Sequence, residues 1–280
     1  MARRPPAART AFGPMIIAAV ERFEPAGRRI LDDPLAIRFL PPPLALLVRA
    51  CRWHVLRDRL VRTTERKAAG LWGGVLCRKR YADDQVAAAV DAGIDQLVVL
   101  GAGMDTRASR TTGVTAYEVD LPANLAAKRA AGQVRLVPID LETGDLLEAL
   151  AAKGFRLDRP AMFTWEAVTQ YLTEDGVRRT LAVLAKAAPG SRLVLTYVRR
   201  DFLDGTNRYG ADGAYADFVE RQRLWHFGLA PEEVGPLLAE YGWTEREQLG
   251  AAEYRRRYVE PAGRDLAVSE IERFVGAAKG

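Results

Sequence analysis

The stretch Val98-Val99-Leu100-Gly101-Ala102-Gly103-Met104-Asp105-Thr106-Arg107 carries a strand straight into a glycine turn. Gln96–Leu100 is almost continuously apolar and partly β-branched, the pattern of a strand buried on both faces of a parallel sheet. Gly101-Ala102-Gly103 directly after it predicts a tight turn at the sheet's carboxyl edge. There the missing side chains let a nucleotide-like ligand approach the backbone. The next strand, Thr115–Val119, is followed by Asp120, an acid 17 residues after Gly103. A carboxylate at that place can accept both hydroxyls of a ribose.

Working outward, similar apolar runs recur at Val134–Ile139, Ala161–Trp165 and Arg192–Val198, with helix-length segments near 122–131, 145–153 and 173–187. Strands alternating with helices at this spacing predict an α/β fold with a parallel sheet flanked by helices. Two further short strands are expected at Trp243–Leu249 and Tyr254–Tyr258, and a short helix over 83–92, ended by Gly93. Residues 1–80 read as a helical cover, punctuated by Pro25, Pro34 and Pro41-Pro42-Pro43, and 81–280 as the cofactor-binding domain. Leu44, Leu47, Val48, Cys51, Val55 and Leu60 fall roughly on one helical face of that cover. The stretch 200–230, polar, Gly-rich and aromatic, reads as a lid, and the proline-rich first dozen residues as a mobile start.

Two cofactor classes use a strand, a Gly-x-Gly turn and a ribose acid. A dinucleotide wants a third glycine at position 106, where this chain has Thr106, and its pyrophosphate would be repelled by Asp105. A ligand with a sulfonium and an ammonium meets no such objection, so the pattern favours S-adenosyl-L-methionine over NAD. Further strand-end acids fit that ligand. Asp140-Leu141 can accept from an adenine amino group and pack on the ring, and Glu166 stands at the end of a central strand.

The bulk composition sets limits. Of 280 residues, 49% are hydrophobic and 28% charged, enough for one large domain with a buried core. Cys51 and Cys77 form no metal or disulfide pattern, so a reducing cytoplasm is expected and no metal. Met15–Val20 is too short to span a bilayer and reads as an inward-packing helix, so no membrane partner is expected. Residues 1–80 hold 17 Lys+Arg against 6 Asp+Glu, which admits a nucleic-acid partner. The excess is scattered Arg without a lysine run or aromatic interleaving, so a solvated helix face is the preferred reading.

These residues resemble the leucine carboxyl methyltransferase-like family, and in particular its bacterial branch of S-adenosylmethionine-dependent methyltransferases. The resemblance rests on Arg78-Lys79-Arg80-Tyr81-Ala82-Asp83-Asp84, Leu100–Arg107, Tyr117–Asp120, Pro138–Leu141, Trp165–Leu172 and Arg257–Arg264, and covers most of the chain. It implies a class I, Rossmann-like methyltransferase fold with a mostly parallel seven-stranded sheet, N-terminal helices and a mid-chain insertion over the site. It also implies that Arg78 binds the methionine carboxylate and that Gly101, with Ala102, Gly103 and Asp105 of the same turn, lines the cofactor. Asp120, followed by Leu121, would hold the ribose, Asp140 and Leu141 the adenine, and Glu166 the methionine end or the reacting centre. The family has Arg-Thr where this chain has Arg78-Lys79, which leaves Arg78 or Arg80 to face the cofactor. It has Glu-Gly-Val where this chain has Glu166-Ala167-Val168, a change that narrows the pocket.

Methyl transfer is an in-line displacement that asks mainly for alignment. A carboxylate acceptor needs no base but wants an arginine clamp, with Arg78, Arg199 and Arg200 as candidates. A hydroxyl wants a base, and of the two histidines, His54 and His226, His226 is the better candidate. Tyr197, near the end of the fifth strand, is a candidate for orienting a substrate oxygen. The aromatic residues Phe202, Tyr209, Tyr215, Phe218, Trp225 and Phe227 suit a lid over a flat small molecule of the kind made in secondary metabolism, and suit a packed helix equally. The expectation is therefore an O-methyltransferase acting on a carboxylate or hydroxyl of a small molecule. A protein or RNA methyltransferase, an NAD-binding oxidoreductase and a non-catalytic cofactor-binding module stay open beside it, as does the oligomeric state.

Overall fold

A computed structural model describes residues 12–126, 128 and 134–280. The proline-rich start and the end of the helix expected over 122–131 lie outside them. Four helices precede the sheet: α1 (Phe12–Glu21), α2 (Pro42–Ala50), α3 (His54–Lys67) and α4 (Leu71–Asp91). The strands are β1 (Gln96–Leu100), β2 (Thr115–Asp120), β3 (Val134–Pro138), β4 (Met162–Trp165), β5 (Arg192–Arg199), β6 (Gly228–Leu229), β7 (Trp243–Leu249) and β8 (Glu272–Lys279). Helices α5 (Leu146–Ala151), α6 (Glu174–Leu184) and α7 (Pro231–Glu240) lie between strands.

The sheet runs in the order β3-β2-β1-β4-β5-β8-β7, with the two-residue β6 beside the end of β5. Strands β1 to β5 are parallel, whereas β8 runs antiparallel to both β5 and β7. Seven strands form this path, the number expected, with β6 as a short addition. The winding reverses between β1 and β4, and ligands of open α/β sheets bind at the carboxyl ends flanking such a switch point. Gly101 and Glu166 stand there, one after each strand.

Every residue of β1 and β4 is buried, because helices cover both faces. On one face Leu97, Val99 and Phe274 pack with Ile17, Val75 and Tyr81 of the N-terminal helices in a single core. On the other, Val98, Leu100 and Phe163 pack with Leu150, Leu181 and Leu238 of α5, α6 and α7. Among the described residues, no helix is long and apolar enough to cross a membrane. Cys51 and Cys77 are free and buried, and burial pushes the Cys77 thiol up to about 12.

Three expectations need revision. The helix expected over 83–92 begins at Leu71 and so runs across the boundary drawn at 80 and 81. Arg78 and Lys79 are buried in its middle, paired with acids, and so break the apolar period without breaking the helix. The cover shares its core with the sheet. The long apolar face from Leu44 to Leu60 is interrupted where α2 ends at Ala50: Val48 and Cys51 are buried, while Leu47 and Val55 are exposed.

The third revision concerns the last strand. Tyr254–Tyr258 is helical, closing in a wide turn over Arg255–Val259, and the strand lies instead at Glu272–Lys279. Phe274 of that strand is fully buried against Tyr81 of α4, ring centroids 4.9 Å apart. Phe274→Ala is expected to destabilise the protein by about 3–5 kcal/mol, since it opens a cavity where helix and sheet join. Urea unfolding of the two proteins measures this, and a loss under about 1 kcal/mol would contradict the packing described.

Candidate active site

The turn after β1 is built by backbone conformation. Gly101 has φ +65° and Gly103 φ +46°, a region costly to residues with a Cβ. A Cβ at Gly101 would also lie 2.2 Å from a methyl of Val168. The Ala102 amide donates to the Val119 carbonyl at 2.9 Å, tying the turn to β2. Asp120, at the end of β2, accepts from the Gly103 amide at 2.5 Å, the Leu121 amide at 2.6 Å and Asn124 Nδ2 at 2.7 Å. Its carboxylate is thereby held rigidly over the turn.

These residues line a cavity of about 480 Å³. Arg78, Gly101, Ala102, Gly103, Asp105, Asp120, Leu121, Asp140, Leu141, Glu166 and His226, all singled out in the sequence, share its wall. Asp140 caps its own loop by accepting from the Glu142 amide at 2.9 Å, and Leu141 is buried beside it. His226 stands at the rim, exposed, its backbone amide donating to the Gln170 carbonyl at 2.7 Å. Arg80 is exposed and pairs with Asp84, so of the two arginines Arg78 faces the cavity.

Beneath the turn lies a chain of buried charges. Glu166 accepts from Arg78 Nε and from Arg107 Nη2, both at 2.9 Å. Arg78 also pairs with Glu272 of β8. Arg107, 1% exposed, reaches Asp83 of α4 at 2.7 Å and Asp105 at 3.2 Å, and Lys79 binds Asp105 at 3.0 Å. Burial pushes the Glu166 carboxyl up, but Lys79, Arg107 and Arg78 outweigh it and hold it below the usual carboxylate range. Asp105 is held well below that range, because Arg107 and Lys79 overcome its burial too. Glu166 is therefore ionised at neutral pH and has no proton to donate.

This network revises the reason given for Asp105. Its charge is already balanced by Lys79 and Arg107, so its repulsion of a pyrophosphate is weaker than the sequence suggests. Thr106 keeps its force: its hydroxyl donates to buried Asp33 at 2.6 Å, clamping the N-terminal segment where a dinucleotide turn would need glycine.

Tyr197 does not join the site. It is fully buried in β5, its hydroxyl donates to Gln248 Oε1 at 2.7 Å, and it lines neither this cavity nor the next. Arg199 pairs with Asp201 and Glu270, Arg200 pairs with Glu233, and neither reaches the cavities. His54 is exposed on α3. Lys79, Asn124, Tyr171 and Glu272 belong to the two cavities and their charge network without having been singled out. Asn124 alone had a local signal, one helical turn after Asp120.

A second cavity of about 560 Å³ adjoins the first, and Pro14, Arg78, Ala167 and Tyr171 line both. Ala167 holds φ +59°, left-handed backbone that favours glycine, with its amide donating to Thr196 Oγ1 at 2.7 Å. From the 200–230 stretch, Gly213, Ala214, Asp217, Phe218 and Trp225 line this cavity. Phe202 and Tyr215 pack instead in a small core of their own, so the aromatic residues there divide between lining and packing.

A mostly parallel α/β sheet with a glycine turn and strand-end carboxylates at its switch point is the methyltransferase fold. The chain belongs to the leucine carboxyl methyltransferase family, whose model matches residues 11–185. A relative from Frankia alni, named an S-adenosyl-L-methionine-dependent methyltransferase, is 32% identical over 94% of this chain and 93% of its own. Another of that name from Parafrankia is 34% identical over 61% of this chain, a match that spans 57% of the relative's length. Among solved structures, a methyltransferase from Thermobifida fusca superposes with a TM-score of 0.58 at 16% identity, covering 100% of this chain and 99% of that one. At that identity the likeness bears on the fold.

The charge network predicts a pH signature. A carboxyl with a depressed folded-state pKa contributes stability above its unfolded value and loses it as pH falls through the folded one. Asp105→Asn is expected to destabilise the protein by about 3–5 kcal/mol at neutral pH, as breaking a buried pair does. The difference should persist down to about pH 4 and close only below it, as wild-type Asp105 itself becomes protonated. Thermal melts of both proteins from neutral to acid pH measure this, and a gap that closes well above that pH would contradict the assignment.

Proposed function

We propose that this protein transfers the methyl group of S-adenosylmethionine to an oxygen, carboxylate or hydroxyl, of a small molecule. The observation that carries the reading is the pairing of two cavities. One is walled by a glycine turn and strand-end acids, and the other, largely apolar, meets it at Arg78, Ala167 and Tyr171. Cavities of this size suit small ligands. Among the described residues, only two cationic side chains, Lys67 and Arg78, line the second cavity, which supports a small acceptor over nucleic acid.

The residues present fit the cofactor. Gly101 and Gly103 leave backbone room, and the Asp120 carboxylate, already fixed by three donors, is preorganised to accept ribose hydroxyls. Asp140 and Leu141 offer an acceptor and an apolar surface for adenine. Arg78 and Glu166 offer opposite charges for the carboxylate and ammonium of the methionine end. When bound, S-adenosylmethionine supplies an electrophilic sulfonium methyl. The protein's own part is then to hold that end at the junction of the cavities and to exclude water from it.

Asp120→Ala is expected to weaken S-adenosylmethionine binding by about 1–3 kcal/mol, the loss usual for a buried hydrogen-bonding partner. Calorimetric titration of wild type and variant, with the fold checked by circular dichroism, measures it. An unchanged affinity in a folded variant would remove Asp120 from the site.

A further inference from the structure

We propose that the second cavity takes an uncharged, largely apolar hydroxyl compound, a phenol or alcohol, and that Glu272 receives its proton during methyl transfer. The proposal rests on the methyltransferase reading above and chooses between the two acceptor classes it leaves open.

The first ground is the chemistry of the wall. Ile16, Ile17, Trp72 and Val75 of α1 and α4 face Phe218 and Trp225 of the lid, whose rings stack at 4.8 Å and 15°. Flat apolar molecules fit such a space. The second ground is the state of Arg78, the one cation at the junction among the described residues. It is buried and already engaged by both Glu166 and Glu272. Assigned above to the methionine carboxylate as well, Arg78 has no capacity left for a carboxylate acceptor, which would also meet the charge of Glu272 in a poorly solvated space. Lys67, the other cation of the wall, is exposed on the last turn of α3. A neutral hydroxyl meets neither obstacle.

The third ground is an unfilled hydrogen-bonding capacity. Glu272 gives one oxygen to Arg78, while its Oε1 is buried and has no partner among the described residues. Gln170 Oε1 and Trp225 Nε1, from the same wall, also lack partners. Buried polar atoms are nearly always paired, so three in one wall point to a ligand carrying both a donor and an acceptor. Of the two carboxylates lining the cavity among the described residues, Asp217 has a side chain 42% exposed to solvent beside Arg221, against 20% for Glu272 beside Arg78. Tyr254, also in the wall, is held protonated by its burial and by the neighbouring Glu272, so it can donate but not receive. His226 lines only the cofactor cavity. Glu272 is left as the proton acceptor, reached by rotation about its own side-chain bonds.

The step balances. A lone pair on the acceptor oxygen forms the new C–O bond as the methyl–sulfur bond breaks with its electrons onto sulfur, and the hydroxyl proton passes to Glu272 Oε1. The products are a methyl ether, S-adenosylhomocysteine and a protonated Glu272.

The test uses the full chain saturated with S-adenosylhomocysteine and titrates 2-naphthol and 2-naphthoate by fluorescence. Naphthol should bind roughly tenfold more tightly. Thr64→Trp, which fills the second cavity from α3, should lose naphthol binding by about tenfold while S-adenosylhomocysteine still binds. Failure of wild type to bind S-adenosylhomocysteine would strike the methyltransferase reading itself. With that binding intact, naphthoate as tight as naphthol, no naphthol binding, or indifference to Thr64→Trp would overturn the acceptor assignment. For the proton, methyl transfer to 2-naphthol at mildly alkaline pH should fall about 100-fold in Glu272→Gln, and less in Glu272→Asp. Transfer to 4-nitrophenol, already ionised there, should fall far less. Equal losses on both acceptors, or no transfer to naphthol by wild type, would remove Glu272 from this role.

Discussion

Glu166 is held between two buried guanidiniums, Arg78 and Arg107, and the site depends on that arrangement. Arg107 belongs to the segment after the glycine turn, Arg78 to the middle of α4, and Glu166 to the end of β4. Asp83, Asp105 and Glu272 complete the charge balance from α4, the turn and β8. Charges this buried are tolerated only when paired on all sides, and removing any one leaves its partner stranded. The network therefore fixes where the helical cover sits on the sheet, and with it the walls of both cavities. An apolar contact could hold helix to sheet as firmly, but it would not place opposite charges beside a ligand carrying an ammonium and a carboxylate.

The central strands were legible because parallel strands buried on both faces read as short apolar runs, and Gln96–Leu100 and Met162–Trp165 do. The last strand was not. Glu272-Arg273-Phe274-Val275-Gly276-Ala277-Ala278-Lys279 mixes charges and small residues, whereas Tyr254 to Tyr258 offers aromatic spacing that imitates a strand. In the fold those two tyrosines stand one helical turn apart, rings 6.3 Å from each other. The site divides the same way. Gly101, Gly103, Asp120, Asp140 and Glu166 each follow a readable strand, so their convergence could be expected. Glu272 comes from the strand that was missed, and Arg107, quoted within the motif, gave no sign that it would be 1% exposed. Pairing across α4, the turn and β8 has no one-dimensional signature.

The two cavities divide the labour between parts of the chain of different character. The first is made by strand ends and their turns, positioned by hydrogen bonds of the sheet and its caps. The second is made by α1, α3, α4 and the lid, whose side chains set its shape. The helices that wall the second cavity lie within residues 11–185 matched by the family, and its lid lies beyond them. The strained backbone of Ala167 lies where the two meet, between Glu166 and the residues that wall the second cavity.

In the proposed reading, the turn after β1 and the acids around it bind an adenosyl sulfonium ligand and not a dinucleotide. Parallel calorimetric titration of the protein with S-adenosylmethionine, S-adenosylhomocysteine and NAD tests it directly. Saturable binding of the two adenosyl ligands and none of NAD is the expected result. Binding of NAD alone, or of none of the three, would contradict that reading.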